Sequence, residues 1–356
     1  MSQRGARIAS MDAVRGVALL GVLMVNLVTA FRVDVFEQLL PHAPPARLVD
    51  RVVASVVATG LEFKAITLFS FLFGAGLAAQ RERAPHVPTF VVRRLGFLLV
   101  LGLVHLYLVW NGDILTLYAL VGFACAPFLG LSPRAHLVLG ASFLVIHALP
   151  LPWPAPFATV EDMERHVDFA RHVYPFGNFL QVLTFRIEEV RPISRLLLWT
   201  APRTVGLFFL GAWAWRARVL HGERPRVVRA TALVGLAVGA TLLALDVERH
   251  LASVALGLGY GAAILVVFER PWPARFLRAF VPIGRMALTS YLVQSVVLGF
   301  LFYGYGLGLF GRLGEAKAAA IGLTLFVVQM IVAALWQRRF GMGPVERIWR
   351  RVTWGP

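Results

Sequence analysis

Three residues able to do chemistry, Lys64, His105 and Asp113, lie in or beside stretches that are otherwise apolar. An imidazole in such a place can take the proton of an attacking hydroxyl, and a carboxylate can orient that imidazole. An ammonium can stabilise the oxyanion that develops at a carbonyl. The same residue types can also relay a proton across a bilayer. Lys64, in "GLEFKAITLFSFLFGAGLA", is one of two lysines among the 35 basic residues. Lysine is compact and can lose its proton on desolvation, which arginine does not. Glu62 is two positions away and would point to the other side of a helix, so a partner for Lys64 is expected on another helix. His105 lies about 16 Å along a helix from Arg94, and Lys64 about 20 Å from Arg51. Asp113, in "WNGD", either orients His105 or caps the following helix.

A second polar group opens the chain. "MDAVRG" places Asp12 and Arg15 at i,i+3, close enough to pair. Asn26 follows three turns later on nearly the same side. Asn26, Lys64 and His105 are therefore expected at a similar depth on three helices. Towards the other end, "IGRMALTSYLVQS" supplies Arg285, Ser290, Tyr291 and Gln294. The last three share a helix face, and Arg285 points away from Gln294. Arg15 and Arg285 at one membrane face would suit a phosphate group arriving from that side. The plainer accounts are a helix-start ion pair for Asp12 and Arg15, an interhelical hydrogen bond for Asn26, and snorkelling to lipid headgroups for Arg285.

The elements that must position these residues are membrane helices. The chain is 58% hydrophobic and 15% charged, which implies a polytopic membrane protein of the all-α class. The net charge of +16 does not point to nucleic acid, because the basic residues form short clusters between apolar runs. Ten spans are predicted, at about 13–31, 51–80, 95–111, 113–131, 134–151, 193–215, 228–245, 251–268, 282–303 and 317–337. With the N-terminus in the cytoplasm, twenty Lys/Arg fall on the inner side and ten on the outer. Both termini are thus expected to be cytoplasmic. Residues 152–192, with "EDMERHVDFARHV", read as an extracytoplasmic interfacial loop within a single transmembrane domain, 1–356. The first apolar run carries no small-residue cleavage site and is expected to be retained. No internal repeat and no broken helix is legible beyond glycine-rich helix ends.

Several other features read as packing. "GAGLA" at 74–78 is a small-residue face for close helix contact. The glycines of "YGYGLGLFG" belong to a helix end, and the arginines of "RARVLHGERPRVVR" to topology. His147 reads as a satisfied packing residue, and Cys125 excludes an internal disulfide. His166 and His172 are not at i,i+4, so no metal site and no bound cofactor is expected.

Five stretches then stand out in order: "DAVRGVALLGVLMVN" (Asp12–Asn26), "KAITLFSFLFGAGL" (Lys64–Leu77), "GLVHLYLVWNGDILTLYAL" (Gly102–Leu120), "GRMALTSYLVQS" (Gly284–Ser295) and "GPVERIWRRVT" (Gly343–Thr353). Together they resemble the YeiB-like family of bacterial inner-membrane proteins, the domain of unknown function 418. The resemblance implies a multi-pass protein of the bacterial cytoplasmic membrane. The opening motif is also similar to that of a wider group of membrane acyltransferases, including the acyltransferase-three type and the lysosomal enzyme that acetylates the terminal glucosamine of heparan sulfate. Those enzymes move an acyl group from cytoplasmic acyl-CoA to a sugar or other acceptor across the bilayer. The similarity implies acyl-CoA as co-substrate and a sugar or lipid-linked acceptor. This chain departs from both patterns. Asn26 stands where the acyltransferase-three pattern has a histidine, and His42, in "LLPHAPPA", lacks the surroundings of the heparan-type histidine.

Two functional readings follow, with membrane lipid as the surrounding partner in each. In an acyltransferase, Arg15 and Arg285 meet the CoA phosphates, with Asp12, Asn26, Tyr291 and Gln294 around the substrates. His105 is then the base, Asp113 its orienting partner, and Lys64 the oxyanion stabiliser. In a transporter or flippase for a small or lipid-linked solute, Lys64 and His105 form a proton relay. A scaffold without chemistry requires Lys64 tightly paired to an acid and no cavity beside His105.

Overall fold

The computed structural model describes residues 3–41, 43–247 and 249–355, with side chains from residue 9 onward; His42 lies outside the described residues. Every element among them is helical. The fifteen α-helices are α1 (Gln3–Asn26), α2 (Leu48–Ser55), α3 (Lys64–Arg81), α4 (Val87–Val104), α5 (Leu115–Cys125), α6 (Pro133–Ala148), α7 (Val160–Phe176), α8 (Phe179–Arg216), α9 (Pro225–Ala244), α10 (Arg249–Phe268), α11 (Pro271–Arg278), α12 (Val281–Arg285), α13 (Ala287–Phe302), α14 (Glu315–Phe340) and α15 (Pro344–Trp354).

Seven helical stretches are long and apolar enough to cross a membrane: Ala9–Phe31, Leu48–Arg81, Val87–Val109, Phe179–Arg216, Pro225–Ala244, Arg249–Phe268 and Glu315–Phe340. Two shorter apolar helices, Leu115–Gly130 and Ala287–Phe302, accompany them. Each apolar run picked out in the sequence contains helix, though not every run is helical throughout. The outward faces are apolar too: Leu323, Val327, Val328, Ile331, Val332 and Leu335 of α14 are all exposed. An exposed apolar strip of this length calls for lipid around it.

The second stretch is not the uninterrupted helix expected over 51–80. After α2 the chain forms a π-helical turn, Val56–Leu61, and then leaves the helix at Glu62, which is extended. Phe63 is left-handed, with φ 60° and ψ −19°, and Lys64 starts α3. Lys64 is therefore a helix-start residue at a break, not a residue in mid-helix. Arg203 of α8 holds the break, donating to the Phe63 carbonyl and the Thr67 hydroxyl. Its guanidinium also lies 5.2 Å from the centre of the Phe63 ring. Two further π-helical turns, Leu27–Phe31 and His105–Val109, end the first and third stretches.

The segment 152–192, read as interfacial in the sequence, contains α7 and the first part of α8. Thr159 caps α7, and Asn178 opens α8 with a capping box, its side chain accepting from Gln181 N while Gln181 returns to its backbone. From there α8 runs 38 residues through Pro192 and Pro202. Arg186 and Glu189, in the first part of α8, are buried in the bundle.

Glycines set the closest helix contacts. A methyl on Gly74 would collide with the Phe208 carbonyl, and one on Gly211 with the Phe71 carbonyl, so α3 and α8 touch backbone to backbone. Gly284 lies in the same way against the Asp12 carbonyl and Gly16 against Phe280. That contact brings α12 onto α1 and sets Arg285 beside Asp12. The "YGYGLGLFG" stretch leaves the helix after Phe302, and Gly308 and Gly311 take positive φ there.

Candidate functional site

A cavity of about 700 Å³ runs through the bundle between α1, α3, α4, α8 and α13. Its size falls in the range of small-molecule sites. One end is lined by Arg15, Arg94, Arg285 and Arg350, and the other by Asp34, Asn111, Tyr174 and Glu189. Asn26, Tyr118 and Tyr291 stand along the wall between them.

At the arginine end Asp12 binds both expected arginines. Arg15 Nη1 lies 2.8 Å from its Oδ1 and Arg285 Nε 3.0 Å from its Oδ2. Asp12 itself is buried and is not part of the wall. Arg94 stacks over Trp349 of α15 at 4.0 Å, and Trp349 Nε1 donates to the Arg94 carbonyl at 2.9 Å. Glu346, the acid on this part of the wall, is engaged elsewhere: its Oε1 accepts from Leu288 N and Thr289 N at the start of α13. The arginines therefore face the cavity with more positive charge than the local acids offset.

Halfway along, His105 opens its π-helical turn and is 1% exposed. Its Nδ1 meets Asp113 Oδ1 at 2.9 Å, while Asp113 Oδ2 accepts from Thr116 N at 2.7 Å. Asp113 thus orients the imidazole and also holds the first turn of α5 from the position before its N-cap, Ile114, so the two alternatives read from the sequence occur together. A carboxylate at Nδ1 favours the tautomer that leaves Nε2 as an acceptor. Nε2 is buried without a hydrogen-bond partner among the described residues. The Tyr291 ring lies 5.1 Å from the imidazole, centre to centre, and it is Tyr291, not His105, that forms cavity wall.

The other expected residues are placed differently. Lys64 is 5% exposed and off the wall, and its Nζ donates to the Ala58 carbonyl at 3.4 Å. No carboxylate among the described residues lies within ion-pair distance of it, so the expected acidic partner on another helix is not found there. Gln294 fastens α13 to α14, donating to Gln329 Oε1 at 2.8 Å, while Gln329 donates to the Ser290 carbonyl. Asn26, Lys64 and His105 are not joined by any hydrogen bond among the described residues. His147 is buried against Trp199 and His250.

The far end of the cavity was not foreseen. Glu189 Oε2 accepts from Asn111 Nδ2 at 2.5 Å and from the Tyr174 hydroxyl, and Glu189 Oε1 meets His166 Nε2 at 2.8 Å. Asp34 lies alongside, its Oδ1 accepting from Phe36 N at 2.8 Å. Burial, with Glu189 next to it, pushes the Asp34 carboxyl well above the usual range. Burial also pushes the His166 imidazole below its ordinary value, against the pull of Asp34. Spacing within α7 had argued against His166 as a ligand. Its neighbours come instead from the turn after α1 and from α8, which spacing along one helix cannot show. One signal was available: Arg186, Glu189 and Ile193 recur at i, i+3 and i+7, the spacing of one helix face.

Comparison with known proteins gives the lineage. The family model described as "Protein of unknown function (DUF418)" matches residues 214–356. The uncharacterised protein YxaH of Bacillus subtilis (strain 168) is 32% identical, over 98% of this chain and 94% of its own length. The uncharacterised protein YeiB of Escherichia coli (strain K12) is 28% identical over 98% of this chain and 96% of its own. A 39.9 kDa protein encoded in the amylase 3' region of Bacillus acidopullulyticus is 26% identical over 98% and 94%. On this full-length similarity, the chain belongs to the YeiB-like family that carries the domain of unknown function 418.

Proposed function

We propose that this protein is an integral-membrane acyltransferase of the bacterial inner membrane, with ten crossings, both termini cytoplasmic and the arginine end of the cavity facing the cytoplasm. The observation that carries the reading is the polarity of the cavity: four arginines at one end, and hydroxyl, amide and carboxylate groups at the other. Phosphates of an acyl-CoA fit the arginine end, because guanidinium groups bind phosphate oxygens in a fixed fork. The acyl-pantetheine arm lies along the apolar middle, where Leu19, Phe69 and Leu98 form wall. A sugar or lipid-linked acceptor enters from the carboxylate end.

The acceptor hydroxyl oxygen attacks the thioester carbonyl carbon; a C–O bond forms and the C–S bond breaks. The hydroxyl proton passes to His105 Nε2 and from there to the departing thiolate, giving an ester and free CoA. Asp113 holds the imidazole through Nδ1. Tyr291, between His105 and the cavity, must swing aside to open the path. Asn26, which lines the cavity, takes the oxyanion role that the sequence assigned to Lys64, since Lys64 does not reach the wall.

The test is binding of acetyl-CoA and longer acyl-CoAs to the purified protein in detergent, with Arg15→Ala and Arg94→Ala alongside. Saturable binding weakened at least about tenfold by either variant supports acyl transfer; each lost charge-assisted contact costs about 1.5–3 kcal/mol. Folded wild-type protein that binds none of these compounds removes the reading.

Transport of a small or lipid-linked solute is favoured by a different observation. The second stretch is broken at Phe63 and two others end in π-helical turns, features that cluster at solute sites in transporters. The scaffold reading fits less well, because it requires a tight acidic partner for Lys64 and no cavity beside His105.

A further inference from the structure

Asp34, His166 and Glu189 come from three separate elements: the turn after α1, α7 and α8. Each offers one donor atom, and the three atoms lie within 4.8 Å of one another. We propose that they hold a divalent transition-metal ion, zinc in the first instance, at the carboxylate end of the cavity.

Four features support the assignment. The donor set, one imidazole nitrogen and two carboxylate oxygens, suits zinc and its neighbours, which accept nitrogen and oxygen together. Charge is the second feature. Asp34 and Glu189 are 2% and 1% exposed, and neither forms a salt bridge with an arginine or lysine among the described residues, Arg186 acting on Glu189 from beyond ion-pair distance. A dication between them would neutralise the negative charge that two carboxylates bring together at this point.

The third is the way the donors are held. Tyr174 and Asn111 occupy Glu189 Oε2 and leave Oε1 towards His166. Phe36 N occupies Asp34 Oδ1, and the Asp34 carboxyl also meets Glu189. Outer hydrogen bonds of this kind fix metal-ligating carboxylates in metalloproteins. The fourth is access. Asp34 and Glu189 are wall residues of the cavity, so a fourth position at the ion opens into it. Three protein ligands with an open fourth position is the pattern of catalytic rather than structural zinc. Closing a tetrahedral shell with zinc bonds of about 2.1 Å needs His166 Nε2 and Glu189 Oε1 to part by about 0.6 Å from their present 2.8 Å. The site stands whichever reaction the cavity serves.

The experiment uses full-length protein in detergent, stripped with chelator and then titrated with Zn²⁺ against a competing chromophoric chelator. Co²⁺ is added to a parallel sample and its visible absorption recorded. One equivalent of Zn²⁺ per chain, bound at least about tenfold more weakly by His166→Ala and by Asn111→Ala, is the expected result. Intense Co²⁺ bands of a four- or five-coordinate site in the wild type are expected as well, and that readout does not depend on any variant folding. Substoichiometric Zn²⁺ with no such Co²⁺ spectrum in folded wild-type protein overturns the proposal. So does Zn²⁺ binding that folded His166→Ala leaves unchanged.

Discussion

Asp12 carries Arg15 on one carboxylate oxygen and Arg285 on the other, at 2.8 and 3.0 Å, and so joins the first helix to the segment that precedes α13. The carboxylate is buried while the two guanidinium groups are 35% and 47% exposed. Asp12→Asn should therefore destabilise the protein by about 1–3 kcal/mol, between the values for exposed and buried pairs. Unfolding in mixed detergents measures this. A variant as stable as the wild type would show that the pair is ornamental.

Asp113 makes two hydrogen bonds with two oxygens, and its variants separate them. Asp113→Asn keeps an acceptor for Thr116 N, whereas Asp113→Ala loses both the cap of α5 and the support of His105. The alanine variant should be the less stable by about 1 kcal/mol. In an assay of the proposed acyl transfer, both variants should fall together, because each deprives His105 of its carboxylate. Equal stability for the two variants contradicts the capping role.

Close contact between α3 and α8 depends on Gly74 and Gly211. A side chain at either position meets backbone, which cannot move aside as a flexible side chain would. Gly74→Ala and Gly211→Ala should each cost about 1–3 kcal/mol. Gly76, with nothing near it, is the control, and Gly76→Ala should be neutral or slightly stabilising. The readout is thermal aggregation temperature in detergent, and matching losses at Gly74 and Gly76 would refute the contact.

Phe63 sits in the left-handed region, which costs a non-glycine residue about 1–2 kcal/mol. Replacing it with glycine relieves that cost. It also removes the ring from Arg203 and from Trp199, whose ring centre is 6.2 Å away. Cation–π and aromatic contacts are together worth about 1–3 kcal/mol, before the lost burial of the ring is counted. The ring should win, so Phe63→Gly is expected to lower stability despite the easier backbone. A more stable glycine variant would mean that the break is a strained turn without support from α8.

The helical, membrane-embedded character of the chain was legible because hydrophobic length is a strong signal, and each apolar run contains helix. The Asp12–Arg15 pair and the His105–Asp113 pair were legible because both are local in sequence. Lys64 was misread, since a left-handed Phe63 leaves no mark in an apolar run. Gln294 shared a face with Tyr291 as expected, yet only tertiary packing decides that one meets Gln329 and the other the cavity. The carboxylate end left only the periodic trace of Arg186, Glu189 and Ile193 on one helix face. Asp34, His166 and Glu189 are far apart in the chain, and only the path of α7 across the end of α8 gathers them.

The length of α8 has a consequence for where that gathering takes place. Its 38 residues span about 57 Å, against a hydrocarbon layer of about 30 Å. Glu189 lies 27 residues before Arg216, or about 40 Å along the axis. With Arg216 anchored at one headgroup layer and the helix near the bilayer normal, Glu189 stands about 10 Å past the hydrocarbon on the far side. The carboxylate end then opens at the level of the opposite headgroups, within reach of ions and sugars in the surrounding water. A thicker bilayer would draw it inward and a thinner one would lift it clear, making lipid chain length a control on access to the site.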